Sequence, residues 1–367
     1  MALPLKGVRI LDLSRVLAGP LATMMLGDLG ADVIKVERPD GGDDTRGWGP
    51  PFDARGESAY YLATNRNKLS VAADFALRED HALIERLLDG ADVVVENFRP
   101  GSLEKRGLGP DATLARHPRL IWCTITGFGA ASHRPGYDFV VQAESGWMSI
   151  TGDPAGGPTK HGLALVDVLA GKDAAIAVLA ALAARREGVA RSAAERRCQV
   201  SLAHSAAAAL VNVAQNALVT DTESPRWGNA HPNLVPYQLF EASDRPLVIA
   251  VGNDHQFAAC ARSLGLADLA ADASVATNAG RVVARERVTG AIAARVRTAP
   301  AATWIASLDA AGVPCGVVRT VLEALHDVEA SPLMGIHPLA PSTVRLPPPR
   351  LDEHGGLVRA KAWGAFA

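Results

Sequence analysis

Asp167 stands where a carboxylate can do nucleophilic chemistry. It closes the apolar run Gly162-Leu163-Ala164-Leu165-Val166 and opens an Ala-rich stretch, residues 168–182, that predicts a long buried helix. A carboxylate at a helix N-terminus faces unpaired backbone N–H groups and the positive end of the macrodipole, so it is expected to stay ionised. An ionised carboxylate on a rigid helix end can attack an activated acyl group. Aspartate is equally a favoured cap residue, and on spacing alone capping is the better-supported role.

Other polar groups gather near the predicted strand exits. Arg38 follows the second strand, Lys68 opens the third, Arg99 follows the fourth, and Lys105 comes a few residues later. Cations along one sheet edge can neutralise a polyphosphate through charge-assisted hydrogen bonds. Each taken singly also reads as a solvated surface charge. In Glu96-Asn97-Phe98-Arg99-Pro100-Gly101 an amide, an aromatic ring and a guanidinium follow a buried strand. The ring can face a base, and the polar groups can hold phosphate or pantetheine. Thr126-Gly127-Phe128-Gly129 ends the next strand, and its glycines permit close backbone approach to a ligand.

Several chemistries find no support. The first turn, Ser14-Arg15-Val16-Leu17-Ala18-Gly19-Pro20, lacks the GxGxxG spacing, and no GxxxxGK[ST], HExxH or GxSxG occurs. Cys123, Cys198, Cys260 and Cys315 are scattered, with no CxxC pair, and read as free thiols of a reducing compartment. His133, His161, His231 and His337 have no ligand-spaced neighbour and read as surface or structural. No metal is expected.

The elements that must position these groups alternate over the first 130 residues. Strands are predicted at 8–13, 32–37, 68–73, 92–96 and 120–126, with helices at 21–29, 79–88 and 110–116 between them. Short β-branched strands separated by helices imply a parallel, doubly wound sheet, with its ligand site outside the carboxyl ends of the strands. Residues 172–220 read as mainly helical, with a polar loop at 185–197 and a short strand near 198–202. From Pro232 a hairpin (236–240 and 246–251) and helices at 254–264, 281–297 and 301–311 form a smaller α+β unit. The expected division is 1–225 for a large domain carrying the parallel sheet, 226–325 for the small domain, and 326–367 for a segment returning to the large one.

Net charge is −2 over 367 residues, which gives no electrostatic case for nucleic acid or an anionic membrane. No stretch reaches the ~18 uninterrupted apolar residues of a membrane span. The first residues, Met1-Ala2-Leu3-Pro4-Leu5-Lys6-Gly7, run directly into a strand without a charged-then-apolar leader pattern. A cytoplasmic protein is expected.

The ordered set of motifs resembles that of the class III CoA-transferase family (CaiB/BaiF type), which also contains the α-methylacyl-CoA racemases. It comprises residues 12–20, Leu29-Gly30-Ala31-Asp32-Val33-Ile34-Lys35-Val36-Glu37, Asn65-Arg66-Asn67-Lys68, 96–101, Gly136-Tyr137-Asp138, Val251-Gly252-Asn253-Asp254 and Gly312-Val313-Pro314, and so covers nearly the whole chain. In that family a catalytic aspartate follows a Gly/Ala-rich strand and precedes a long helix, and Asp167 matches it. The resemblance implies a Rossmann-like large domain and an interlocked homodimer. It implies that Arg38, Lys68, Asn97, Phe98, Arg99, Lys105 and Tyr137 line the CoA site, approached by the backbone at Leu17, Ala18, Gly127 and Phe128. Coenzyme A would then be substrate and product, with no tightly bound cofactor, and the partners would be an acyl-CoA and a carboxylic acid.

Three departures from the pattern matter. Formyl-CoA:oxalate transferases carry Gln where Leu17 stands and a basic residue where Thr126 stands, which weighs against an oxalate-specific role. The racemase branch has His where Tyr137 stands, and an ordinary tyrosine, with a pKa of about 10, is a poor α-proton base near neutrality. The loop at 185–197 is longer and less Gly-rich than the usual family turn. The expected activity is CoA transfer from an acyl-CoA to a carboxylic acid through an aspartyl covalent intermediate. The alternatives are an α-methylacyl-CoA racemase and a non-catalytic CoA-binding protein in which Asp167 is only a cap.

Overall fold

The computed structural model describes residues 3–186, 191–326 and 344–366. His337, residues 187–190 of the polar loop and residues 327–343 of the C-terminal segment lie outside the described residues. The chain divides into two units: Met1–Trp147, Lys160–Thr222 and Glu329–Ala367 in one, Met148–Thr159 and Glu223–Val328 in the other. The stretch Met148–Thr159, expected in the large domain, thus falls in the smaller unit.

Six parallel strands build the first unit: β1 (Arg9–Asp12), β2 (Asp32–Glu37), β3 (Lys68–Ala72), β4 (Val93–Glu96), β5 (Ile121–Thr126) and β6 (Arg197–Ser201). Their order is β3-β2-β1-β4-β5-β6. This is the doubly wound, Rossmann-like sheet expected from the strand–helix alternation. The order reverses between β1 and β4, so the loops leaving those strands part and leave a crevice at the carboxyl edge.

Alternation along each strand fills two cores. Ile10, Val33, Val93 and Val95 face the helices Ala18–Asp28 and Leu165–Arg186, and Leu11, Ile34, Val94 and Trp122 face the opposite layer with Leu83, Leu87 and Trp363. Burying each such side chain contributes about 1.5–3 kcal/mol, so a charge at Val94 would break the sheet. The helix Leu165–Arg186 crosses the start of Ala18–Asp28 at close range. A Cβ at Gly171 would lie 2.7 Å from the Ala18 carbonyl oxygen, so only glycine permits the approach. That contact sets the residues one turn earlier, Asp167 among them, beside the β1 loop.

The outer edge of β3 is covered by the C-terminal residues. Arg345 and Leu346 N–H donate to Asn67 Oδ1 (2.6 and 3.0 Å), and Ala72 N–H donates to Asp352 Oδ1 (2.8 Å). Trp363 Nε1 reaches the Leu87 carbonyl at 2.8 Å. Covering an edge strand removes a template for unwanted pairing.

The second unit carries an antiparallel sheet, β7 (Tyr237–Glu241), β8 (Pro246–Ala250) and β9 (Cys315–Val317). Phe240, Leu247 and Ile249 of this sheet pack against Phe257, Ile292, Trp304 and Leu308. Strand β9 was not expected, because three residues are too few to show alternation. The single helix expected over 281–297 is two, Asn278–Val283 and Arg285–Val296. They part at Ala284, and within the first of them the buried Arg281 guanidinium donates to the Val235 and Ala276 carbonyls (2.7 and 3.0 Å) and to Asp254 (2.8 Å). Among the described residues no single helix is long and apolar enough to cross a membrane.

Candidate active site

At the carboxyl edge a cavity of about 170 Å³ opens between the loops leaving β1, β4 and β5. Leu17, Ala18, Asn97, Phe98, Arg99, Gly127, Tyr137 and Asp167 line it, joined by Arg15, His133 and Arg134. Most of the residues expected to share a site therefore do.

Asp167 lies in the first turn of the helix Leu165–Arg186, which starts three residues earlier than expected, and the preceding run 162–164 is not a strand. The reason is Asp138. Its Oδ1 accepts the Val166 and Asp167 N–H groups at 2.8 and 3.3 Å, so it, and not Asp167, caps the helix. Gln142 holds Asp138 Oδ2 at 2.6 Å and accepts the His161 N–H at 2.8 Å, fixing the incoming loop.

The expectation that Asp167 stays firmly ionised is overturned by the same arrangement. The free helix donors go to Asp138, and the Asp167 carboxylate has no hydrogen-bond partner among the described residues. Burial, followed by the neighbouring Asp138 charge, pushes its pKa up to about 7. A carboxylate so poised is a stronger nucleophile when ionised than one held by cap hydrogen bonds. Tyr60 feels the same field: burial and then Asp167 and Asp138 push its phenol up to about 12, and its ring meets Trp48 edge-on at 5.1 Å.

A second cavity, of about 460 Å³, adjoins the first across Arg15 and Phe98, which line both. The Arg15 guanidinium lies 5.6 Å from the centre of the Phe98 ring, and the Phe75 ring stands 6.2 Å from Phe98, tilted by 50°. Arg38, Asp43 and Arg106 supply charge to its wall. Arg38 is held by Asp44 at 2.7 Å, and Arg15 reaches the same carboxylate at 3.5 Å. Arg99 has no side-chain partner among the described residues.

Several expected site residues take other parts. Lys68 is fully buried, its ammonium donating to Asp12 (3.0 Å), the Pro20 carbonyl (2.9 Å) and Asn65 (2.9 Å). It starts β3 rather than ending it, so it enters the core beneath the site and is not open to a phosphate. Burial outweighs the pull of Asp12 and brings its pKa down to about 8. Lys105 is exposed and lines neither cavity; Arg106, its neighbour in the turn Glu104–Arg106, does. The Asn97 amide spans the Arg15 peptide, Oδ1 accepting its N–H at 2.9 Å and Nδ2 donating to its carbonyl at 2.7 Å. It is a clamp on the β1 loop. Phe128 packs on the core under the Arg134 guanidinium, 4.2 Å away, and Gly127, on the cavity wall, also passes close to Gly136: a Cβ on Gly127 would meet Gly136 Cα at 2.5 Å.

Asp138, Arg106, Phe75 and Tyr60 were not singled out from sequence. Arg106 and Phe75 follow the strand-exit rule and could have been found by it. Asp138 and Tyr60 lie in short helices, Asp138–Glu144 and Ala59–Leu62, that the sequence pattern did not show.

A profile of CoA-transferase family III matches residues 5–354. Succinyl-CoA:glutarate CoA-transferase of Mus musculus is 42% identical over 329 residues, 89% of this chain and 74% of that protein. Succinate–glutarate CoA-transferase of Agrobacterium fabrum is 42% identical over 332 residues, 88% of this chain and 82% of its own. The crystal structure of a CAIB/BAIF family protein from Brucella suis superposes with a TM-score of 0.85 at 39% identity, covering 98% of this chain and 99% of that one.

Proposed function

The chain belongs to CoA-transferase family III and is an enzyme that moves CoA between an acyl-CoA and a carboxylic acid, and we propose that Asp167 carries the reaction as a covalent nucleophile. The observation that supports this most is the division of labour at the helix start. Asp138 takes the backbone donors, leaving Asp167 unpartnered, partly desolvated and open to the cavity. The reading of Asp167 as a mere cap, and with it the inert CoA binder, loses its physical basis.

In the proposed cycle, the Asp167 carboxylate attacks the thioester carbonyl of the donor and CoA thiolate leaves, giving a mixed anhydride. The thiolate then attacks the aspartyl carbonyl, releasing the donor acid and forming an aspartyl–CoA thioester. The acceptor carboxylate attacks that thioester and expels the thiolate. Attack by the thiolate on the acceptor's acyl carbonyl yields the new acyl-CoA and frees Asp167. Each step trades one activated acyl bond for another, so no outside energy source is needed.

The nucleotide end of CoA fits the larger cavity, its base against the wall formed by Phe75 and Phe98 and its phosphates near Arg38 and Arg106. The pantetheine arm would pass Arg15 and Phe98 to reach Asp167. For the acids, the 42% identity to succinate–glutarate transferases favours dicarboxylates. The open Arg99 guanidinium, with Arg15 and Arg134 on the same wall, offers a partner for the distal carboxylate. A homodimer is also proposed: Ile176, Val211, Leu218 and Val219 are 63–79% exposed, more apolar surface than isolated side chains need present.

The test is a transfer assay with succinyl-CoA and glutarate, scored by the appearance of glutaryl-CoA. Transfer in the native chain and its loss in Asp167→Asn support the proposal; full transfer by the variant rejects the nucleophile.

A further inference from the structure

Val16 holds a φ of 70°, a conformation that β-branched side chains rarely adopt. Such a backbone persists only where its surroundings over-determine it. Here the Val16 N–H points between the two oxygens of Asp43, at 3.2 and 3.3 Å. Asp43 is fixed in turn by Thr45, whose N–H and hydroxyl donate to Oδ1 at 3.0 and 2.9 Å. Lys35 lies 3.0 Å from Asp43 Oδ2, with both side chains 0% exposed, and also donates to the Ser14 carbonyl at 2.8 Å. With Asn97 holding the Arg15 N–H and carbonyl, the Ser14–Arg15 and Arg15–Val16 peptide groups are each gripped at both their N–H and their C=O.

The next residues are those that face the chemistry. Leu17 precedes the helix Ala18–Asp28, which has no side-chain cap. Neither the Leu17 nor the Ala18 N–H has an acceptor in hydrogen-bonding geometry among the described residues. Leu17, Ala18 and Asp167 line one cavity, and the close crossing at Gly171 keeps their helices together.

We propose that the buried Lys35–Asp43 pair is a positioning device for acyl transfer: it holds Val16 in its left-handed conformation and so aims the free N–H groups of Leu17 and Ala18 at the carbonyl oxygen that gains charge when Asp167 attacks. The inference rests on Asp167 being the nucleophile. Donors set in advance toward a developing oxyanion accelerate its formation, and small misplacements forfeit much of the effect. The pair suits the task because it stays charged over the working range. Burial alone would raise the Asp43 pKa and lower that of Lys35, but their mutual attraction outweighs it in both. Its net charge is zero, so it does not neutralise the Asp167 carboxylate.

The test uses the full chain and steady-state kinetics with succinyl-CoA and glutarate, plus calorimetry with CoA. Lys35→Met/Asp43→Asn removes the pair without stranding a charge. Its kcat should fall about 100-fold, the range seen on losing an oxyanion donor, while the Kd for CoA changes less than about threefold. Adding Val16→Gly should restore about tenfold of kcat, because glycine takes the left-handed conformation without an anchor. A purely structural role would not be rescued by a more flexible residue. Should the double variant fail to fold, Asp43→Glu keeps the charge pair but displaces the carboxylate, and kcat should drop about tenfold with CoA binding retained. Unchanged kcat in either variant, or a loss that Val16→Gly does not relieve, overturns the proposal. Failure of the underlying reading shows separately, as full activity of Asp167→Asn in an otherwise native chain.

Discussion

Two groups of carboxylates, one fully buried and one partly buried at the cavity, are treated in opposite ways. Beneath the β1 loop, Asp12 is met by Lys68 at 3.0 Å, Thr23 at 2.7 Å and Ser14, and Asp43 by Lys35 at 3.0 Å. Burial pushes Asp12 up, but Lys68 and Lys35 more than reverse it and hold its pKa well below the usual carboxylate range. At the start of the helix Leu165–Arg186, Asp167 has a second carboxylate for a neighbour and no ion-pair partner among the described residues, and its pKa rises to about 7. Compensated charges fix a backbone; an uncompensated one is left reactive. Perturbed carboxylates in a cleft are candidates for chemistry for that reason.

The comparison can be broken at either end. The largest effect is expected at Asp167: Asp167→Ala should lower kcat for transfer by about 10³-fold or more, since the covalent route is lost. Rapid-quench assays with saturating succinyl-CoA would show it. Next comes the compensated network. Asp12→Ala strands the Lys68 ammonium in the core and should destabilise the fold by about 3–5 kcal/mol, whereas replacing both by apolar residues of similar volume should cost far less. Chemical denaturation of the two variants decides this.

A smaller effect tests the other side of the coin. The folded Asp167 pKa lies above its ordinary 3.8, so ionisation is disfavoured in the folded chain. Stability is lost as pH climbs from about 4 through 7, and remains lost above. Asp167→Asn should therefore stabilise the protein at pH 8 by on the order of 2 kcal/mol, allowing for partial exposure, and have little effect at pH 4. The same shift places the acidic limb of kcat/KM near pH 7. Asp138→Asn keeps a cap oxygen but removes the charge, and should move that limb to lower pH by up to about one unit. Least of all, Arg106→Ala should weaken CoA binding about fivefold, the scale of one exposed charge-assisted contact, while Lys105→Ala leaves it unchanged by calorimetry.

Much of the fold was legible because its signal is local. The β-branched runs at 32–37 and 93–96 and the helix Pro110–Arg116 lie within a residue of their expected bounds. The cavity wall was legible where strand exit alone decides, as for Asn97, Phe98 and Arg99, whereas Leu17 was expected there only from the family resemblance. Legibility failed where a long side chain or a distant segment intervenes. Lys68 enters a strand, and only the fold shows that its ammonium meets Asp12, 56 residues away in sequence. The cap from Asp138 acts across 28 residues, so nothing near Asp167 could reveal that its helix donors were already taken. Val16 is an ordinary residue in an ordinary turn until its φ is seen.

The central claim is that Asp167 forms a bond to CoA during turnover, and trapping that bond tests it most directly. The native chain, incubated with succinyl-CoA and quenched in acid, should yield a peptide containing Asp167 that is heavier by the mass of CoA less water. Hydroxylamine should convert it to the hydroxamate, and Asp167→Asn should give no adduct. An Asp167 peptide that stays unmodified while transfer proceeds at full rate, or an adduct on another residue, would contradict the account.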